Sequence, residues 1–516
     1  MLVQERSEVR GAPRADESRP PRAPIEAITR HRVLIAIVVL GAIVRVATLT
    51  SQSYWLDEAQ AAHEVSLSLG AMLSAWSRAE WNPPLYLIVA WPWAHVFGAG
   101  EAGLRSLSAL FGIALIPVLY GAGAELVSRR AGLYAAAFAA LNPFMIWYSQ
   151  EAREYMLLTL LCAGTLWCFA RTWRTGSSRA LAWWAAIAAL ALLTQYFAGF
   201  LIAPEGVLLI WRLRSRWSVA ALGLQGVVLL AFVPHVTPQL GSNAQFITSQ
   251  PLWLRIEQVP TTFALSTLAQ SSAVHFGLAG GAVAAALAAG LLLAFGGGRE
   301  ISGAVLAAAL AAIVIVLPLA LALAGQDDFI ARGLMPGWPP LAVAFGAACG
   351  VRAAPVLGGA LAALLLGLFV WAGIRIDADS DFQRPAWRSV AAALGSSSGR
   401  GRAVVAYPGQ FATGPLSLLL PRVPWSGPGA TVPAAATPAT ISELDVVANA
   451  GVTVRRPPAS ARLIARRRVD GYEVLRYRLS APWRADVAQI SGLAATLVAD
   501  VPPGPSVMIQ PPPSLR

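Results

Sequence analysis

The sequence predicts an all-α polytopic membrane protein of about eleven transmembrane helices with external juxtamembrane helices, followed by a small C-terminal external α/β domain. Three observations predict this. Of 516 residues, 56% are hydrophobic and 13% charged, with a mean hydropathy of +0.58, far too apolar for a chain dissolved in water. Apolar runs of ~17–25 residues, the length that crosses a ~30 Å hydrocarbon layer, recur up to about residue 375. Beyond that point the texture changes to short strand-like runs rich in proline.

The apolar runs lie near 33–49, 104–125, 131–149, 155–171, 180–195, 197–211, 218–235, 274–296, 301–324, 333–350 and 354–374. Basic residues orient them, because Lys and Arg collect in cytoplasmic loops. The chain has no lysine. Its arginines cluster in the N-terminal tail, at Arg129-Arg130, at Arg171/Arg174/Arg179, at Arg212/Arg214/Arg216, at Arg299 and at Arg352. All of these are cytoplasmic together if the further run Pro83 to Gly98 lies along the outer interface, a position that suits its Pro83-Pro84 start, internal Pro92 and Trp91/Trp93 pair. The predicted organisation is a cytoplasmic tail over 1–32, a transmembrane domain over 33–374 with an external loop at 50–103, an external α/β domain over 375–500, and a proline-rich tail over 501–516 with little regular structure. Within the external domain, WRSVAAAL reads as a helix, and RAVVAYPG and YEVLRYRLS read as strands.

A net charge of +12 raises the question of nucleic acid, but the arginines sit in short clusters between apolar runs, so topology accounts for them and no nucleic-acid partner is expected. No phosphate loop, no dinucleotide GxGxxG in strand-turn-helix context and no GxSxG elbow is present. The three cysteines, Cys162, Cys168 and Cys349, fall inside apolar segments, so neither a disulfide nor a cysteine zinc site is expected.

The polar content worth weighing gathers on one predicted face. Asp57-Glu58, in YWLDEAQ just beyond the first span, could accept a proton from a hydroxyl, bind a metal, or cap a helix over 58–78 through Asp57. Trp81-Asn82-Pro83-Pro84-Leu85-Tyr86 forms a rigid entry to the interfacial helix, with Asn82 able to hydrogen-bond a substrate. The turn Tyr148-Ser149-Gln150-Glu151-Ala152-Arg153-Glu154-Tyr155 is denser in charge than a short loop requires, and charges beside lipid usually face a cavity or a partner. Gln326-Asp327-Asp328-Phe329-Ile330-Ala331-Arg332 repeats the theme. Arg332, Arg105 and Arg45 could snorkel at the interface or surround a lipid-linked phosphate, which a guanidinium binds bidentately. No two of the five histidines have metal-ligand spacing along a helix. His63 and His95 nevertheless stand on the outer side as candidate site members.

In order, these strings resemble the membrane-embedded C-type glycosyltransferases, specifically glycosyltransferase family 39, which includes protein O-mannosyltransferases and aminoarabinose transferases of lipid A. YWLDEAQAAHE is similar to the family's first external loop, EWNPPLYLIVAWPWAHVFG to its HPPLYY helix, and GLRSLSALFGIALIPVLYGAG to its Arg-containing second span. LNPFMIWYSQEAREY resembles its turn before the next span, DFIARGLMPGWPPLAVAFG its RYL-containing segment, and DFQRPAWRSVAAAL the tail of bacterial members. Asn82 stands where the family often has His, and Gly333 where it often has Tyr.

The resemblance implies inverting transfer of a sugar from a polyprenyl-phosphate donor to a lipid, glycan or protein hydroxyl, at the outer face of a bacterial plasma membrane. Asp57 would be the general base and Glu58 its catalytic neighbour, while Arg153, Arg332 and Arg105 would hold the donor phosphate. Glu151, Glu154, Tyr155, Asn82 and Tyr86 would support them. No cofactor is implied with certainty, and assistance by a divalent cation stays open. The competing reading is a transporter or flippase of lipid-linked sugars, which would place its charges along a path at midplane. A receptor-like scaffold is disfavoured because eleven spans exceed what an anchor requires.

Overall fold

The computed structural model describes residues 22–236, 247–270, 275–397, 401–428, 438–455, 457–498 and 504–512. Every apolar run read from the sequence is helical. The first is α1 (Arg22–Ala47), and the 50–103 loop folds into three short helices, α2 (Leu56–Val65), α3 (Leu69–Ala79) and α4 (Leu85–Phe97). There follow α5 (Glu101–Leu126), α6 (Arg129–Leu141), α7 (Pro143–Ser149), α8 (Tyr155–Thr175), α9 (Ser178–Leu192), α10 (Gly199–Leu213) and α11 (Arg216–Val236). The helical part closes with α12 (Leu252–Leu265), α13 (His275–Leu293), α14 (Gly298–Leu323), α15 (Trp338–Cys349) and α16 (Pro355–Ala378). Among the described residues, six helices are by themselves long and apolar enough to cross a membrane. The other apolar runs are shorter, interrupted or charge-bearing, so length and composition alone do not set the count at eleven.

Two differences from the sequence reading have local causes. Asp57 does not cap a helix over 58–78: α2 begins at Leu56 with Trp55 before it, and α3 has its own cap, Ser68, whose side chain accepts from the Ala71 N–H. The run 131–149 is two helices, because Pro143 has no N–H to give the Ala139 carbonyl. Asn142 caps the second helix by accepting from the Met145 N–H at 3.1 Å. The open carbonyls are taken by Arg45, fully buried in α1, whose guanidinium donates to Ala139 O at 2.7 Å, Ala140 O at 2.9 Å and Ser149 Oγ at 3.0 Å. An arginine inside the apolar slab is thereby satisfied by backbone that a proline left unpaired.

Small residues let α5, α6 and α15 approach closely, as is usual where lipid supplies no hydrophobic drive between helices. A Cβ on Gly123 would stand 2.8 Å from the Gly132 Cα, and one on Gly346 would stand 2.5 Å from the Ala131 carbonyl.

The C-terminal unit holds a five-stranded sheet of β1 (Gly401–Ala406), β2 (Ala439–Asn449), β3 (Ala461–Val469), β4 (Tyr472–Ala485) and β5 (Ser506–Gln510), in the order β3-β4-β2-β1-β5. Only β1 and β2 are parallel, joined across α18 (Gly409–Leu419). Alternation along β1 sends Val404 and Ala406 toward α18 and α17 (Trp387–Leu394), and Ala403 and Val405 toward α19 (Val487–Leu497), so both faces are covered. The expectation of a tail with little regular structure is corrected here: Ser506–Gln510 pairs antiparallel with β1, its apolar Val507 to Ile509 completing the sheet.

The closeness of α5 and α7 yields a prediction. A Cβ on Gly112 collides with the Ser149 hydroxyl and reaches 2.8 Å from Arg45 Nε, whereas one on Gly226 meets open space. Gly112→Ala should lower the thermal midpoint of the purified protein by the equivalent of roughly 1–3 kcal/mol. Gly226→Ala should leave it unchanged or raise it.

Candidate active site

Six segments far apart in sequence converge at one end of the helical bundle: α2, the α3–α4 junction, the start of α5, the turn between α7 and α8, the chain around Arg332 and the chain around Arg384. The converging side chains form a buried floor and a partly exposed front.

Glu58 is the centre of the floor. Its carboxylate is fully buried and receives a bidentate pair from Arg105, Nε to Oε1 and Nη2 to Oε2, both at 2.7 Å. The Ala152 N–H donates to Oε1 at 2.9 Å, and Arg384 Nε stands 3.5 Å from Oε2. Burial opposes ionisation of Glu58, but Arg105, Arg384 and the Ala152 amide outweigh it and hold the carboxyl below its ordinary range. Arg105 spends its remaining donors on the carbonyls of Leu49, Gln52 and Ser53 at 3.2, 2.6 and 3.0 Å. All five guanidinium N–H groups are engaged. The expectation that Arg105 holds a donor phosphate is therefore corrected: it shapes the 49–53 turn and pins Glu58.

Arg384 was not singled out from the sequence, although it lies within the DFQRPAW string. Its guanidinium stacks over Trp147 at 4.2 Å and donates to Glu151 at 2.8 Å, while its backbone N–H donates to Gln52 Oε1 at 3.0 Å. Burial pushes Glu151 up to about 7 against the pull of Arg384, with the charges of Glu58 and Asp57 adding to the rise.

A second buried group surrounds Arg153, which grips Glu80 with Nη1 at 2.9 Å and Nη2 at 3.2 Å and sets Nε 3.0 Å from Glu154. Asn82 donates to the other Glu154 oxygen at 2.8 Å. Tyr86 is buried beside Ser108 and Glu154. Glu80 also escaped the sequence reading, although it directly precedes the Trp81-Asn82 string. Glu64 lies close by, with one oxygen accepting from Gln60 at 3.1 Å, and burial together with the Glu80 charge pushes it up to about 8.

Asp57 and Arg332 form the front. Arg332 Nη1 stands 3.6 Å from Asp57 Oδ2, and the two side chains are 25% and 26% exposed, against 0% for Glu58 and 9% for Arg153. That separation is a loose ion pair, longer than a hydrogen bond, between two partly exposed side chains. Burial lifts the Asp57 carboxyl above its ordinary value, opposed by Arg332 and Arg153 and reinforced by Glu80 and Glu58. Trp55 lies under Arg332 at 5.9 Å, and Tyr155 acts on the same guanidinium while its ring meets Tyr148 edge-on at 4.8 Å. The family's Tyr position, Gly333 here, faces the Phe197 ring, which a Cβ would approach to 3.1 Å.

All ten residues predicted for the site thus fall in this one cluster. The two candidate histidines are occupied elsewhere. His63 stacks on Trp425 of the C-terminal unit at 4.6 Å, and His95 packs on Trp91 at 4.1 Å. Among the described residues, no three His, Cys, Asp or Glu side chains form a metal-ligating group.

Residues 81–237 match the family described as dolichyl-phosphate-mannose-protein mannosyltransferase. The whole fold is similar to ArnT from Cupriavidus metallidurans. The apo structure of that protein aligns with a TM-score of 0.53 at 14% identity, covering 88% of this chain and 98% of ArnT. The structure of the same protein bound to undecaprenyl phosphate aligns at 0.55 with 15% identity, covering 86% and 97%. No curated protein matches the sequence.

The floor and front should respond differently to neutralisation. Glu58→Gln leaves Arg105 buried without its counter-charge, and breaking a buried pair costs about 3–5 kcal/mol. Its thermal midpoint should fall sharply, whereas Asp57→Asn, at the exposed front, should stay close to the wild-type value.

Proposed function

We propose that this protein is an inverting glycosyltransferase that moves a sugar from a polyprenyl-phosphate donor to a hydroxyl acceptor at the outer membrane face. The observation that carries this reading is the Asp57–Arg332 pair, 3.6 Å apart and partly exposed over a floor of buried, paired charges. Asp57 takes the proton of the acceptor hydroxyl as its oxygen attacks the anomeric carbon. The bond from that carbon to the phosphate oxygen breaks on the opposite side, and inversion follows from a single displacement. The leaving polyprenyl phosphate gains negative charge, which Arg332 meets directly and Arg153 from behind; such preorganised charge costs no reorganisation during the step. Glu58 acts by positioning the α2 turn that carries Asp57. The fold's likeness to a protein whose structure holds undecaprenyl phosphate supports the donor class, and the apolar bundle gives the lipid chain a sideways approach. The transporter alternative gains nothing from the charge distribution. Of the intramembrane charges, Arg45 is held by backbone and Glu205 accepts from Trp184 Nε1 at 2.8 Å, so neither lines a path.

Transfer from a radiolabelled polyprenyl-phosphate sugar by purified protein tests this. Asp57→Asn should lose about 10²–10⁴-fold in kcat, and full activity in that variant would remove Asp57 from the chemistry. The pH profile adds a signed test. Activity requires ionised Asp57, so it falls as pH drops through a carboxyl value lifted above 3.8. Arg332 lowers that value, so Arg332→Gln should move the acid limb to higher pH while reducing kcat.

The orientation is tested by labelling single cysteines with a membrane-impermeant maleimide in intact cells. A cysteine at Ala99 should label and one at Ser128 should not. The opposite pattern would put the Asp57 site inside.

A further inference from the structure

At the other end of the bundle is a feature that the transfer reaction does not use. Arg105 and Glu125 lie on the same helix, α5, about 30 Å apart at 1.5 Å per residue, which matches the ~30 Å hydrocarbon thickness. Around Glu125 the ends of α5, α6, α8, α13, α14 and α16 enclose an open crevice of about 1290 Å³.

Its charge is strongly one-sided, with Arg129, Arg130, Arg174, Arg299 and Arg352 set against Glu125 and Glu300. Both acids are occupied. Glu125 accepts from Arg174 Nη2 at 2.6 Å and Nε at 3.2 Å, and Glu300 faces Arg352 at 3.9 Å while accepting from the Gly297 N–H at 3.2 Å. Arg299 donates to the Glu125 carbonyl at 3.1 Å. Arg129 and Arg130 are exposed, and no hydrogen bond or ion pair engages their side chains among the described residues. The crevice also receives the N-terminal ends of α6 and α14, whose open N–H groups and dipoles favour an anion. One wall is apolar: Phe295 is 61% exposed on the crevice rim.

Arginines that serve only to orient spans can be scattered among separate loops. These are gathered from four interhelical loops into one concave site, with two helix N-termini and an apolar rim. We propose that the crevice binds the phosphate headgroup of an anionic phospholipid of the host membrane, with its acyl chains leaving past Phe295. The apolar wall at the membrane boundary favours a lipid over a free anion. The site is independent of the Asp57 chemistry.

The test uses the full-length protein in detergent, titrated with phosphatidylglycerol, with phosphatidylcholine, and with inorganic phosphate, and read by thermal midpoint and by lipid retention in native mass spectrometry. Phosphatidylglycerol should be retained and should stabilise, while phosphatidylcholine should do neither. Arg129→Gln/Arg130→Gln should weaken phosphatidylglycerol binding roughly fivefold per arginine removed. Both side chains are exposed, so the fold should survive, and Arg352→Gln, at a position 77% exposed, offers a second variant. Equal stabilisation by inorganic phosphate would overturn the lipid assignment. An unchanged preference for phosphatidylglycerol in both variants would overturn the site itself.

Discussion

The structure depends above all on the buried charge cluster centred on Glu58. A carboxylate removed from water is costly unless its lone pairs are filled and its charge is balanced. Arg105 supplies both, and in the same act collects three carbonyls from the turn after α1. Arg384 then binds the entry to the C-terminal unit to Glu58, to Glu151 and to Gln52. Four segments separated by as many as 332 residues are thereby locked at one end of the bundle. Asp57, next in sequence to Glu58, inherits its placement from that lock.

The floor is buried and closely paired, whereas the front is partly exposed. Arg105, with all five N–H groups engaged, behaves as a structural brace, while Arg332 lies partly exposed 3.6 Å from Asp57. Arg153 stands between these extremes, its planar fork committed to Glu80 while its charge still acts on Asp57.

The C-terminal unit is more than an appendage. Arg388 reaches Glu101 at 2.8 Å and the Thr50 and Ser51 carbonyls at 2.7 and 3.0 Å, and Trp425 stacks on His63 of α2. A Cβ on Gly414 would stand 2.7 Å from the Leu56 side chain, so α18 sits directly against the helix that carries Asp57. The sheet therefore backs the site.

Much of this was legible in the amino acids alone. Hydropathy located each apolar helix because burying backbone in lipid leaves the helix as the main solution, and short strand-like runs rich in valine, leucine and tyrosine marked β1 and β4. The strings at 54–58, 81–86, 148–155 and 326–332 marked the site because charges beside an apolar slab require partners. Other features depended on long-range contact. Pairing decided that Arg105 braces the floor, that Arg384 and Glu80 complete it, and that Ser506–Gln510 closes the sheet. Residue type shows that a guanidinium can bind a phosphate, but only the packed structure determines whether its N–H groups are already spent.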